Sequence, residues 1–209
     1  MVMHGPGSMR TNRVSRGPGV IVVKEKSVYF VLAFLGLSLA VSPAAATANF
    51  SAAGALLVTG DGQSSLVLLV KHRSRSWYEM PGGRRQTHSV DKGGPDSAYE
   101  TAIRECFEES RGMLSREFLR EAIDPGRKLR DGGFVFFVGR VDPIALDSLR
   151  RAPVPEVAAF REIADYAWVA IESILGSEDG TVIDEEGRRI RLRAQLKPRL
   201  ASARAKGWL

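Results

Sequence analysis

Cysteine is almost absent from this chain: Cys106 is the only one in 209 residues. No disulfide can form within the chain, and no zinc site built on several thiolates can exist. Histidine is nearly as scarce, with only His4, His72 and His88. That is too few for a histidine-rich metal cage, and none has a convergent partner in the linear sequence, so none is assigned a role. Internal repeats are missing as well. Apolar residues make up 44% and charged residues 26% of the chain, close to the globular average, which excludes wholesale disorder. The length suits one ordinary domain with appendages and is too short for two full ones.

What the chain has in excess is positive charge, +6 overall with an isoelectric point near 9.8. Taken alone, this points to nucleic acid or an anionic membrane. The distribution says otherwise. Residues 1–48 hold five basic groups and one acid, residues 188–209 hold eight basic groups and no acid, and residues 49–187 hold 17 basic against 23 acidic groups. A mildly acidic body carries two basic ends. Without residues 1–48 the balance is 25 basic to 23 acidic groups.

The first end has a positive region from Arg10 to Lys26, an uncharged apolar core over 28–42, and small residues at Ala44-Ala45-Ala46-Thr47-Ala48. That order describes a secretory signal peptide cut after Ala46 or Ala48. The core falls short of the roughly 20 residues of a full span. It becomes a membrane anchor if the apolar stretch is counted on through Ala48. The expected location is outside the cytoplasm when the segment is cut and at the membrane when it is kept; a spurious extension would leave the protein cytoplasmic.

In the body, the apolar runs 52–59 and 65–72 flank Gly60-Asp61-Gly62 and predict a hairpin. A short extended piece over 77–80 meets Pro81-Gly82-Gly83, where no regular element is expected to continue. Residues 84–95 are polar and read as a loop. Asp96 or Ser97 caps a helix running to about Arg111, with Gly112 as its stop. Residues 115–122 fit helix or strand. Strands are expected at 133–141 and 167–171, a short helix from Ile171, a second hairpin from 181–184 and 189–193, and a closing basic helix over 195–206. Mixed elements at these spacings give an α+β or α/β domain with a mixed sheet. The closing helix has Leu196, Leu200 and Ala203 spaced to dock on the body rather than on a membrane surface.

The chemistry lies in the helix that starts at Ser97. At about 100° per residue, Glu105, Glu108 and Glu109 share one sector, with Ile103 and Phe107 opposite. Like charges three and four residues apart repel by a few tenths of a kcal/mol per pair. Two readings follow: a solvated acidic face, or carboxylates neutralised by a hard cation such as Mg²⁺ or Mn²⁺.

Here the sequence resembles the Nudix hydrolases, whose signature is G-x5-E-x7-R-E-U-x-E-E-x-G-U with U bulky and apolar. Asp96 is followed by seven residues and then Arg104-Glu105-Cys106-Phe107-Glu108-Glu109, then Ser110-Arg111-Gly112-Met113. Trp77-Tyr78-Glu79-Met80-Pro81-Gly82-Gly83, with one more residue before the proline, is similar to the W-x-x-P-G-G that precedes the family's box, and Glu162 before Trp168 is similar to its late glutamate and tryptophan strand. Three departures stand out. Asp96 replaces a glutamate, twelve residues separate Gly83 from Asp96 where the family has five, and two residues instead of one precede Gly112. The extra residue before Gly112 is expected to lengthen the helix end without moving the three glutamates.

The resemblance implies an α/β/α sandwich with a mixed β-sheet over roughly 50–175. The expected organisation is a signal or anchor over 1–48, a Nudix domain over 49–175, and a hairpin and basic helix over 176–209 packing on it. It also implies metal-dependent hydrolysis of a phosphoanhydride in a nucleoside diphosphate linked to another moiety. Glu108 and Glu109 would be the main ligands of Mg²⁺ or Mn²⁺, Glu105 a ligand or the general base, Arg104 its orienting partner, and Glu162 an extra ligand or base. Gly82 and Gly83 would admit the phosphate closely, and Arg84 and Arg85 would hold it. The expected partner is a small phosphorylated substrate. Nucleic acid is not an expected partner, and a membrane is one only if the N-terminal segment is kept; oligomeric state is left open. The alternatives are a nucleotide-binding module that does not cut, and a pyrophosphohydrolase acting on RNA.

Overall fold

The computed structural model describes residues 49–87 and 96–209. The signal or anchor expected over 1–48 lies outside the described residues, and so does most of the loop insertion.

The strands are β1 (Ala52–Thr59), β2 (Leu66–His72), β3 (Tyr78–Glu79), β4 (Gly82–Arg84), β5 (Ile123–Asp131), β6 (Phe134–Arg140), β7 (Ile163–Ala170), β8 (Thr181–Ile183) and β9 (Arg189–Arg191). The helices are α1 (Ala98–Glu109), α2 (Arg116–Ala122), α3 (Leu146–Arg151), α4 (Ile171–Gly176) and α5 (Leu196–Ala205).

β1 is apolar throughout because both of its faces are covered. Ala53, Ala55 and Leu57 point to one side and share an apolar cluster with Ile103, Cys106, Leu119 and Leu149 from α1, α2 and α3. Leu56 and Val58 point to the other and share a cluster with Ile174, Leu196 and Leu200 from α4 and α5, and with Val182 and Ile190 from the β8–β9 hairpin. This alternation makes an α/β/α sandwich. Leu196, Leu200 and Ala203 are all buried, as docking of the basic helix onto the body requires. Among the described residues no helix is long and apolar enough to cross a membrane.

Among the described residues, seven strands form one mixed sheet. β1 pairs in parallel with β6 along nearly its whole length. Its other edge is divided: Val58 and Thr59 pair with β2, while Ala52 to Gly54 pair with β4. β2 turns away to pair antiparallel with β7, and its free corner takes β3. The sheet therefore splays between β1 and β2, and α1 lies over that opening.

Two sequence expectations are corrected here, and elements the sequence did not announce are added. Pro81-Gly82-Gly83 does not end regular structure, since Gly82–Arg84 is β4. Glycine makes this possible: the strands approach so closely that a Cβ on Gly54 would lie 2.9 Å from Gly82 Cα and nearer still to the Pro81 carbonyl oxygen. β5 was not expected, because Pro125-Gly126 interrupts it; a register shift between Asp124 and Lys128 absorbs the interruption. α3 was not expected either, and residues 115–122 are helical, with the Ser115 hydroxyl accepting from the Phe118 N–H. Lastly, α1 is not lengthened. It ends at Glu109, and the extra residue is taken into a left-handed turn, with φ of 55° at Arg111 and 75° at Gly112. The Arg111 guanidinium then donates to the carbonyls of Leu149, Arg150 and Ile163, tying the helix end to α3 and β7.

Candidate active site

α1 is capped by Ser97, whose hydroxyl accepts from the Glu100 N–H at 3.1 Å. Its apolar stripe enters the core. Its opposite side, expected to be either solvated or metal-bound, is largely buried: Arg104 and Glu109 count among the buried residues and Glu105 and Glu108 are half-buried.

Glu109 is only 3% exposed. One carboxylate oxygen accepts from the Gly82 N–H at 2.9 Å, and the other lies 3.0 Å from His72 Nε2. The Glu109 carbonyl accepts from the Tyr166 hydroxyl at 2.7 Å, which fixes the helix end against β7. Glu105 lies directly over Gly83, whose missing side chain leaves room for the carboxylate. Arg104 is the hub. One terminal nitrogen meets Glu105 at 2.8 Å and Glu108 at 3.0 Å, its Nε meets Asp96 at 3.3 Å, and its other terminal nitrogen donates to the Arg84 carbonyl at 2.8 Å. Asp96, one methylene shorter than glutamate, still reaches it.

This crowding leaves its mark on the carboxyl groups. Burial, with the charges of Glu109 and Glu108 adding to it and Arg104 opposing, pushes Glu105 up to about 8. Burial also raises Glu108, against Arg104, and Glu109, against His72 and the Gly82 N–H. Burial is the largest cause for all three carboxylates.

The wall faces a cavity of about 510 Å³. All nine residues singled out from the sequence border it: Gly82, Gly83, Arg84, Arg85, Arg104, Glu105, Glu108, Glu109 and Glu162. Glu162 arrives from the short turn before β7 and is 62% exposed. Arg85 is anchored, with Nε donating to the Asp96 carbonyl and the guanidinium over the Phe50 ring. His72 and Arg75 also line the cavity, and both were missed. His72 stands five residues before Trp77 at the end of an ordinary apolar strand, with no signal in its spacing. A larger cavity of about 650 Å³ opens beside Trp77, Arg191 and Lys197, but it lacks a buried carboxylate wall, so the chemistry favours the smaller one. Among the described residues, no three His, Cys, Asp or Glu side chains converge tightly enough to cage a metal ion. The Cys106 thiol faces the core, where burial raises it well above its usual range.

A family model for the NUDIX domain matches residues 48–187. The chain belongs to the Nudix family. Membership supports a hydrolase-type enzyme. No curated protein matches the chain. Solved structures with a similar fold include a C. elegans Ap4A hydrolase binary complex, 16% identical, covering 75% of this chain and 97% of that one, with a TM-score of 0.42. The NUDIX domain of Shewanella oneidensis NrtR complexed with ADP ribose is 17% identical, covering 76% and 88%, with a TM-score of 0.45. One further match corrects the expectation that nucleic acid is no partner. Shewanella oneidensis NrtR complexed with a 27mer DNA is 16% identical, covering 75% of this chain and 61% of that one, with a TM-score of 0.39.

Proposed function

We propose that this Nudix protein is a divalent-metal-dependent pyrophosphohydrolase, breaking a phosphoanhydride bond in a nucleoside diphosphate linked to another moiety. One observation carries the reading. Three carboxylates on one helix face, Glu105, Glu108 and Glu109, are drawn largely out of water onto one wall of a cavity that arginines also line, and burying like charges together is costly unless something offsets it. The donors fit Mg²⁺ or Mn²⁺: all are hard carboxylate oxygens, they line one wall, and such ions keep several waters and take substrate phosphate oxygens for the rest. Since no three of the described acids converge on one point, Glu108 and Glu109 would be the main ligands of an ion that keeps several waters, with Glu105 and Glu162 as further ligands or a base; when bound, the ion supplies charge neutralisation and an activated water.

The rest falls to the chain itself. Arg104 holds Glu105 and Glu108 in fixed relation to each other and to β4. Gly82 and Gly83 let the phosphate approach the backbone without obstruction. Arg84 and Arg85 at the rim offset the charge of the polyphosphate. In this reading the hairpin and helix over 176–209 form part of the same folded unit, because they share the apolar cluster of β1 and β2.

The test is turnover of ADP-ribose, nucleoside triphosphates and dinucleoside polyphosphates with and without Mg²⁺. The wild type should release phosphate-bearing products from at least one of these, only with the metal, and Glu109→Gln should lose most of the rate. Absence of metal-dependent turnover across the panel would sink the proposal.

A further inference from the structure

The last residue of β2 sits where the sheet is irregular. Lys71 pairs with Asp165 but His72 pairs with Ile163, so β7 bulges between them. A bulge re-aims the side chains around it, and here it brings the segment before β7 back to β2, with the Arg73 N–H donating to the Glu162 carbonyl at 2.8 Å. The His72 ring is thereby enclosed by carboxylates. Nε2 lies 3.0 Å from Glu109 and 3.7 Å from Glu79, and Nδ1 lies 3.7 Å from Glu162.

Three facts separate this histidine from a packing residue. It is 8% exposed, yet Nε2 has no hydrogen-bond partner of good geometry. The neighbouring Glu79 is already taken by Arg75 and Arg193, which leaves Glu109 as the carboxylate for Nε2 to serve. Glu109 is held from its other side by the Gly82 N–H, so His72 is the second of two groups that fix the orientation of its carboxylate.

We propose that His72 is a positioning residue for the divalent cation, setting the orientation of Glu109 through Nε2. The inference rests on the reading of the α1 carboxylates as the metal wall. Groups that orient a ligand from behind are worth roughly 10–100-fold in metal affinity.

The experiment is an Mn²⁺ titration of the full chain, read by the paramagnetic resonance of free Mn²⁺, on wild type, His72→Gln and His72→Asn. The Gln amide nitrogen overlays Nε2 and the Asn amide nitrogen overlays Nδ1, so the two variants match in polarity and differ in which acid they reach. The expected result is an affinity within about threefold of wild type for Gln and a roughly 10–100-fold loss for Asn, with similar melting temperatures. His72→Phe keeps the ring and lacks both nitrogens; it repeats the test independently and should lose as much as Asn. Equal affinities for Gln and Asn, or wild-type affinity in Phe, overturn the assignment while leaving the metal reading intact. A wild type that binds no Mn²⁺ overturns both.

Discussion

Two glycine-to-alanine changes on paired strands should have opposite consequences. At position 83 an added Cβ would overlap the Glu105 carboxylate, 2.6 Å from Oε1 and nearer to Oε2, with no backbone atom among its closest neighbours. Carbon and oxygen settle at roughly 3.5 Å, so the carboxylate must move by about 1 Å or more. It is the free end of a flexible side chain, and the move costs the fold little, within about 1 kcal/mol. It does break the 2.8 Å contact with Arg104 and displaces Glu105 from the cavity wall. A displacement of that size costs roughly 10²-fold in rate. At position 54 the Cβ would instead meet the backbone of Pro81 and Gly82. The β1–β4 pairing would have to open, weakening the 3.0 Å bond from the Ala55 N–H to the Pro81 carbonyl. Overpacking and a lost buried hydrogen bond together cost about 2–4 kcal/mol. Thermal melts alongside metal-dependent turnover decide the matter. Gly83→Ala should melt like wild type and turn over poorly, while Gly54→Ala should melt at clearly lower temperature. Full activity in Gly83→Ala would refute the placement of Glu105 in the working site, and an unchanged melt for Gly54→Ala would refute the close approach of β1 and β4.

Two further outcomes follow from the same geometry. Because Glu105 keeps its proton to about 8 when folded and has an ordinary value of 4.5, the folded state holds the extra proton between those values. The metal-free protein should therefore lose stability as pH rises from about 4.5 to 8, by up to about 5 kcal/mol from this group; Mg²⁺ should restore it, and a flat profile in melts without metal would contradict the burial of that carboxyl. Arg111→Ala strands three backbone carbonyls and removes the cation over the Tyr166 ring. The expected loss is about 2–4 kcal/mol in a denaturant midpoint, and an unchanged midpoint would show that the extra residue before Gly112 ties nothing down.

How much of this was legible in the sequence depends on the range of the forces involved. α1 was readable because a 3.6-residue period places Ile103 and Glu105 on different faces whatever surrounds them. β6 and the β8–β9 hairpin were readable from local alternation and turn residues. β4 was not, since Gly-Gly-Arg has no strand propensity and pairs only because Gly54 stands opposite. β5 was hidden by Pro125-Gly126, which the bulge absorbs. His72 was hidden for a different reason: its role depends on a bulge in β7, some ninety residues away in the chain.

Two of the three departures from the family's pattern act on the same wall. Asp96 is a methylene short, yet it meets Arg104 because the loop base is drawn in, with the Asp96 N–H donating to the Gln86 carbonyl and the Asp96 carbonyl accepting from Arg85. The residue added before Gly112 is accommodated beyond Glu109, where it anchors the end of α1 instead of extending it. Both changes leave Glu105, Glu108 and Glu109 on one face of a helix fixed at each end. A chain selected for stability alone would have no reason to bury that face. On the proposed reading the cost of burying it is what a bound cation offsets, which favours a working hydrolase over a module that has kept only the fold.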